Sequence, residues 1–166
     1  IIQWCRKTLR PIQPNLPFKM NKKPGTIIAE NIQLLHIETV KQIIDASPLK
    51  NGKKHLLDMG TRLAYNLKDE RCKIELFIRM GADTAEAPVF FHFNFHYKVK
   101  GLDHFYEMNK DKNSPIFQGH FISTLAGISL STARVMIYEK LNNAGLKNII
   151  LPVISPQKLL QTTTKS

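Results

Sequence analysis

The sequence predicts an α+β fold, a four-stranded antiparallel sheet with one long helix packed across it. Three observations carry this. Three consecutive runs, 55–67, 71–80 and 90–99, alternate apolar and polar residues with the period of a strand. A run with partial alternation, 30–39, precedes them. A single stretch from Thr124 to Asn143 repeats its apolar residues at helical spacing and meets a stop at Gly145.

A chain of 166 residues is a natural size for one domain with a real core. Its 43% hydrophobic and 22% charged composition reads as globular. No apolar run approaches the roughly 18 residues of a membrane span, so membrane insertion is not expected. "IIQW" is too short for the apolar block of a secretory signal, and the expected compartment is the cytoplasm. The net charge is +11, but Arg6, Lys7, Arg10, Lys19, Lys22 and Lys23 place six cations in the first 25 residues with no acid among them. A basic tail can touch phosphates. The body shows no basic stripe with interleaved aromatics, so nucleic acid is not an expected partner. Residues 1–25 read as a basic tail containing proline, and 26–166 as a single domain. Met20 followed by "NKKPG" reads as a start, which would make 1–19 upstream translation or a linker.

The first strand is expected over 30–39. Lys41 to Ser47 follows, and Ser47-Pro48 and Asn51-Gly52 are turn signals. In 55–67, Leu57, Met59, Thr61, Leu63 and Tyr65 share one face, while Asp58, Gly60, Arg62 and Ala64 take the other. "KDE" makes the turn. In 71–80, Cys72, Ile74, Leu76, Ile78 and Met80 oppose Lys73, Glu75, Phe77 and Arg79. After the loop "GADTAEAP", "FFHFNFHYKV" puts Phe91, Phe93, Phe95, Tyr97 and Val99 on one side and Phe90, His92, Asn94, His96 and Lys98 on the other. Three such runs in succession make an antiparallel meander.

This placement argues against a metal site. His92 and His96 are four residues apart, which on a helix could chelate one ion; on a strand they stand about 13 Å apart. His36, His55, His104 and His120 show no ligand spacing, and the two cysteines, Cys5 and Cys72, form no CxxC. No P-loop, dinucleotide fingerprint or Ser-His-Asp arrangement is present. No metal, cofactor or catalytic residue is therefore expected.

Residues 102–122 read as irregular and rich in large apolar groups, either tucked under the core or offering a binding surface. The helix then carries two apolar stripes on roughly opposite sides: Ala126, Leu130, Ala133, Ile137 and Leu141 on one, Leu125, Ile128, Thr132, Val135 and Met136 on the other. A surface helix needs one stripe. The second stripe predicts either an oligomer with helices held between sheets or cover by the 102–122 segment. "NIILPVIS" is expected to be extended, and Ser155-Pro156 to open a short helix.

The run "GISLSTARVMIYEKLNNAGLKNIILPVISPQKLL" (127–160) resembles the C-terminal half of the SecB family of export chaperones. Ile128, Leu130, Ala133 and Arg134 fall on the family's pattern at the start of its long helix, Gly145 on its stop, and Pro152, Val153 and Leu159 on the segment that follows. The order of strands before it is similar too, and the resemblance spans about residues 26–160. It implies the same sheet and helix, assembled as a dimer of dimers, a homotetramer. It implies an ATP-independent holdase that binds unfolded, export-competent or aggregation-prone chains in apolar grooves. Some members of that family instead protect the antitoxin of one toxin–antitoxin pair. Carried onto this chain, client contact would fall on the segment after the first strand (Val40, Ile43, Ile44), on the loop aromatics (Phe105, Tyr106, Phe117, Phe121) and on the short terminal helix (Leu159, Leu160). The second helix stripe would make the subunit contact. Phe91, Phe93, Phe95 and Tyr97 would be the core floor under the helix. The chain departs from the family pattern in being basic, in placing Ser131 where export members often have Pro, and in a truncated terminal helix. These departures leave docking to the translocation ATPase open.

A second resemblance points elsewhere. "IFQGHFISTLAG" (116–127) is similar to the "FQGHFPG" element of hot-dog-fold hydroxyacyl-carrier-protein dehydratases, where the His is catalytic. His120 would then be the acid–base residue of an acyl-thioester dehydratase or thioesterase. The proline after the Phe is replaced by Ile122, the later acidic helix residue is absent, and too little chain follows the helix for the remaining strands of that fold.

Overall fold

The computed structural model describes residues 23–45, 56–81, 88–109, 111 and 113–157. The predicted tail up to residue 22, the turns around Ser47 and Asn51, and the terminal helix beyond Gln157, with Leu159 and Leu160, lie outside these residues.

Four long strands and one long helix make the fold: β1 (Ile32–Ile44), β2 (Leu56–Asn66), β3 (Arg71–Gly81), β4 (Val89–Val99) and α1 (Gly119–Asn143). A small hairpin, β5 (Tyr106–Asn109) with β6 (Ser114–Phe117), stands between β4 and α1. The main sheet has the order β1-β4-β3-β2, with every pair antiparallel. The expected α+β architecture is present, and the meander β2-β3-β4 gains β1 on its β4 edge.

The alternation of β3 and β4 builds the core. Cys72, Ile74, Leu76 and Ile78 of β3 and Phe91, Phe93, Phe95 and Tyr97 of β4 are fully buried on the face toward α1. Phe91 stacks on Phe93 with centroids 5.7 Å apart, and Phe93 meets Phe95 at 6.1 Å. The helix answers with one broad buried arc: Phe121, Leu125, Ala126, Leu130, Ala133, Ile137 and Leu141. Tyr97 carries the one polar atom among these β4 rings. Its hydroxyl lies 2.7 Å from Ser129 Oγ, which donates to the Leu125 carbonyl at 2.8 Å. A buried hydroxyl needs such a partner. Burial pushes the Tyr97 phenol up to about 12 against the opposing effect of the Ser129 bond, and burial pushes the Cys72 thiol up to about 12, making it an inert core residue.

Gly145 ends α1 as expected. Its φ of 80° is left-handed, the Leu146 amide donates to the Leu141 carbonyl and the Gly145 amide to Asn142. This pair of bonds is the Schellman arrangement, closed by apolar contact between buried Leu146 and Leu141. After a turn at Lys147 and Asn148, where Asn148 takes a left-handed φ of 65°, residues 149–155 return as a strap without regular structure, and Pro156 and Gln157 are helical.

Three expectations are corrected. β1 runs to Ile44, so Val40, Ile43 and Ile44 belong to a strand and not to a connecting segment. The strand holds bulges between Leu34 and His36 and between Thr39 and Lys41, which throw its alternation out of phase. The 102–122 segment is ordered: a 3-10 turn (Leu102–Phe105), the hairpin, and the first turn of α1, which opens at Gly119, not Thr124. By length and composition α1 could cross a membrane, but its apolar arc is spent on the sheet.

Replacing Phe95 with Ala should cost about 3–5 kcal/mol in denaturant unfolding, the range for deleting a buried ring. Ser129→Ala should cost about 1–3 kcal/mol, because it leaves the Tyr97 hydroxyl with only the Leu125 carbonyl at 3.5 Å.

Candidate functional site

The candidate surfaces are the parts of the sheet and helix that the core does not use. The first is β1. It lies at the sheet edge beyond the cover of α1, and most of its side chains are exposed. Val40 (45% exposed) sits at a bulge, and Ile43 (41%) lies beside Phe90 on the outer face. Leu34 and Leu35 extend the apolar edge toward the start of the strand. Ile44 turns inward beside Val89 and is half-buried. A long edge strand with open backbone and apolar side chains is a template for another chain.

The loop aromatics do not join β1 in one groove. Phe105 and Phe121 are core residues, stacked at 4.6 Å, so the expectation that they contact a client is corrected: both rings are buried, and Phe117 of β6 stacks on Phe121 at 6.1 Å. Tyr106 and Phe117 are half-buried and meet at 5.5 Å, with Tyr65 at 5.4 Å from Phe117. Tyr65 registers with Tyr97 through Cys72, whereas Ile43 registers with Phe90. The two clusters are therefore separated by about 23 Å along the sheet.

The second surface is the outward side of α1. Leu125 is fully buried against its own sheet, so its assignment to a subunit contact is corrected. Ile128 and Val135 (70%) are exposed, and Thr132 and Met136 are half-buried. The 102–122 segment does not cover this stripe. The strap runs beside it, with Leu151 buried and its carbonyl accepting from Arg134 Nε at 3.0 Å. Pro156 crosses at Gly127, where an added Cβ would stand 3.1 Å from the proline Cγ, so close approach is what this glycine permits. A groove of about 610 Å³ remains between strap and helix, lined by Thr124, Gly127, Ile128, Ser131 and Pro156 among others. Tyr138, Ile150 (67%) and Val153 (83%) extend the apolar surface. Sequence reasoning missed these three, because Ile150, Leu151, Val153 and Ile154 follow no period-two alternation that would mark which of them face outward.

His120, the candidate acid–base residue, lies at the exposed start of α1. Its Nε2 is 3.1 Å from the Gly25 carbonyl oxygen, and its ring meets the edge of Phe105 at 6.4 Å. Gln118 accepts from the Gly25 amide at 3.1 Å and donates to the His104 carbonyl, so both side chains pin the N-terminal segment. All four long strands precede α1, unlike the order that the dehydratase element requires.

The third surface is the outer face of the sheet. His92 stacks on Phe77 at 4.3 Å, and its Nε2 has no hydrogen-bond partner among the described residues. His96 Nε2 is 3.8 Å from Glu38 Oε2, which accepts from Asn94 Nδ2 at 2.8 Å. His36 stands 5.7 Å from His96, ring to ring, and Lys73 pairs with Glu75 at 2.8 Å. Burial holds both His92 and His96 below the ordinary histidine value; Lys73 lowers each further, while Glu75 acts against this at His92 and Glu38 at His96. The Asn94 hydrogen bond holds Glu38 below the usual carboxylate value. Among the described residues no cluster of three or more His, Cys, Asp or Glu could hold a metal ion.

No family model matches the sequence, and no curated protein matches it. The fold is similar to that of a SecB-like chaperone of Mycobacterium tuberculosis, solved in complex with a ChAD peptide from the HigA1 antitoxin. The TM-score is 0.50 at 13% identity, over 76% of this chain and 92% of that one. At this identity the likeness shows the fold: the chain has a SecB-like fold.

The two depressed histidines set a pH dependence. The unfolded chain takes protons near 6.5 while the folded chain resists them, so the unfolded state binds more protons and stability falls with acid. Melting temperature should drop as pH falls from about 7.5 through the ordinary histidine value near 6.5, and His92→Gln with His96→Gln should flatten that slope. The Glu38 contribution is separate in pH: it is present above 4.5 and lost as pH falls below that value.

Proposed function

We propose that this chain is a holdase chaperone that binds unfolded polypeptide without ATP and does no covalent chemistry. The observation that carries the reading is the long uncovered strand β1, open in its backbone and apolar at Leu34, Leu35, Val40 and Ile43. A client segment gains from such an edge in two ways. It can add main-chain hydrogen bonds to the strand, and it removes its own apolar side chains from water, each worth about 1.5–3 kcal/mol when fully buried. Val40 and Ile43 remain the client contacts we favour, with Tyr106 and Phe117 as a second station at the other end of the sheet. The SecB-like fold supports a polypeptide client, and the antitoxin peptide bound by the structural neighbour supports a dedicated client of that kind over general export.

The same reading assigns the open face of α1 to assembly. Ile128, Thr132, Val135 and Met136 form the stripe that the strap leaves uncovered, and burying it against a second copy would remove an apolar surface unusual for a lone chain.

Light scattering of a chemically unfolded client, diluted without ATP, should show suppressed aggregation at near-stoichiometric amounts, with an unrelated basic protein inert. Val40→Ser with Ile43→Ser should weaken suppression several-fold, about 1–2 kcal/mol in client binding, while circular dichroism stays unchanged. Full activity in that double variant would remove β1 as the client surface. Val135→Glu should lower the mass measured by size-exclusion light scattering; an unchanged mass would remove the α1 face from the assembly.

A further inference from the structure

The outer face of the sheet is unused by the client and assembly surfaces, apart from its border at Ile43. We propose that it docks an acidic polypeptide segment, recognised by cations that the fold holds over aromatic rings. This goes beyond the holdase reading and stands independently of it.

Cross-strand register brings Lys41 of β1, Phe90 of β4, Phe77 and Arg79 of β3, and Arg62 of β2 onto this face. The Arg62 guanidinium lies 5.1 Å from the Phe77 centroid. Phe90 is flanked from both neighbouring strands, by Arg79 at 5.6 Å and Lys41 at 5.8 Å. A ring occupies the face of a cation and leaves N–H donors for another group. Among the described residues none of these three cations is in an ion pair, although Asp58 stands opposite Arg79 in the register.

The carboxylates at the middle of the face are already engaged. Glu75 pairs with Lys73, and Glu38 accepts from Asn94 beside His96. Arg71 and Lys98 add further cations at one end. The face therefore offers positive charge placed in advance, with long side chains whose freedom is already restricted. Its stacked guanidinium groups favour planar, two-oxygen acceptors such as carboxylates.

Charge complementarity alone would also admit a nucleic acid. The arrangement of the acids favours a peptide. Glu38 and Glu75 are brought into line through Asn94, forming a row across the centre of the sheet that ends at Arg62 on β2, whose guanidinium leans over Phe77 toward the neighbouring row of Lys41. A phosphate chain crossing that row, with a charge at every step, would meet them. A peptide can place carboxylates against Arg79, against Lys41 and against the Arg62 guanidinium where it leans over Phe77, and meet Glu38 and Glu75 with neutral residues, since successive rows are about 7 Å apart.

The test is fluorescence anisotropy of a labelled twelve-residue peptide of alternating Glu and Ser, with the full chain at low salt. Arg62→Gln with Arg79→Gln should weaken binding about tenfold, and Lys41→Gln alone about threefold. Lys140→Gln with Lys147→Gln, near the end of α1, should leave it within about twofold. Thermal melts identify any variant that fails to fold, and Lys41→Gln carries the test if the double variant does. Equal weakening by both lysine and arginine pairs would overturn the proposal in favour of diffuse charge. So would tighter binding of a labelled twelve-residue oligouridine that is lost on the same arginine pair, which would make the face a nucleic-acid surface.

Discussion

The inner face of β4 is the constraint on which the rest of the structure depends. β4 is hydrogen-bonded on both sides, to β1 and to β3, so its backbone position is held by two ladders. Phe91, Phe93, Phe95 and Tyr97 project from it at period two and are fully buried. Large rings in a row need a broad apolar cover, and α1 supplies it through an arc that includes Leu125 and Ser129. The Tyr97 hydroxyl then fixes the helix in rotation, because Ser129 Oγ at 2.7 Å is where that hydroxyl finds its partner. The same alternation sends His92, Asn94 and His96 outward between the side chains of β1 and β3. The polar carpet of the outer face is thus a consequence of the aromatic floor within.

Legibility in the sequence followed the strength of this alternation. The runs at 55–67, 71–80 and 90–99 match β2, β3 and β4 to within a residue at most of their ends, since each keeps its phase throughout. β1 does not. The bulges after Leu34 and Thr39 reverse its facing twice, so Val40 to Ile44 no longer reads as part of the strand. The hairpin was hidden for a different reason: four-residue strands around Pro115 are too short to show a period. The start of α1 lacks the usual Ser, Thr, Asp or Asn cap. Gln118 occupies that position, and its amide is spent on Gly25 and His104 instead of the helix.

The candidate surfaces were legible in part, and the failures share one cause. Phe105 and Phe121 are large and aromatic within a stretch that reads as a loop, which makes them resemble an exposed binding set. Whether a loop aromatic is exposed depends on tertiary packing, and these two rings are buried in a 4.6 Å stack. Leu125 failed in the same way, on a helix whose buried arc is wider than one stripe. Ile128 and Val135 lie outward on the wheel and are exposed, because they stand far from the centre of that arc.

The strap ties these surfaces together. It can lie close to α1 because Gly127 has no side chain where Pro156 crosses, and it is held at its middle by Arg134 and the buried Leu151. Leu151 and Ile154 seat toward the core while Ile150 and Val153 stand outward, a spacing of three residues and not the two of a strand. The strap therefore covers the flank of the helix while enlarging the apolar surface around Val135 and Tyr138. A segment that served only to shield the helix would carry polar residues on that outer side. Retaining Ile and Val there, next to an uncovered helical stripe, is the pattern of a surface completed by another polypeptide, and it is the strongest physical support for the proposed assembly.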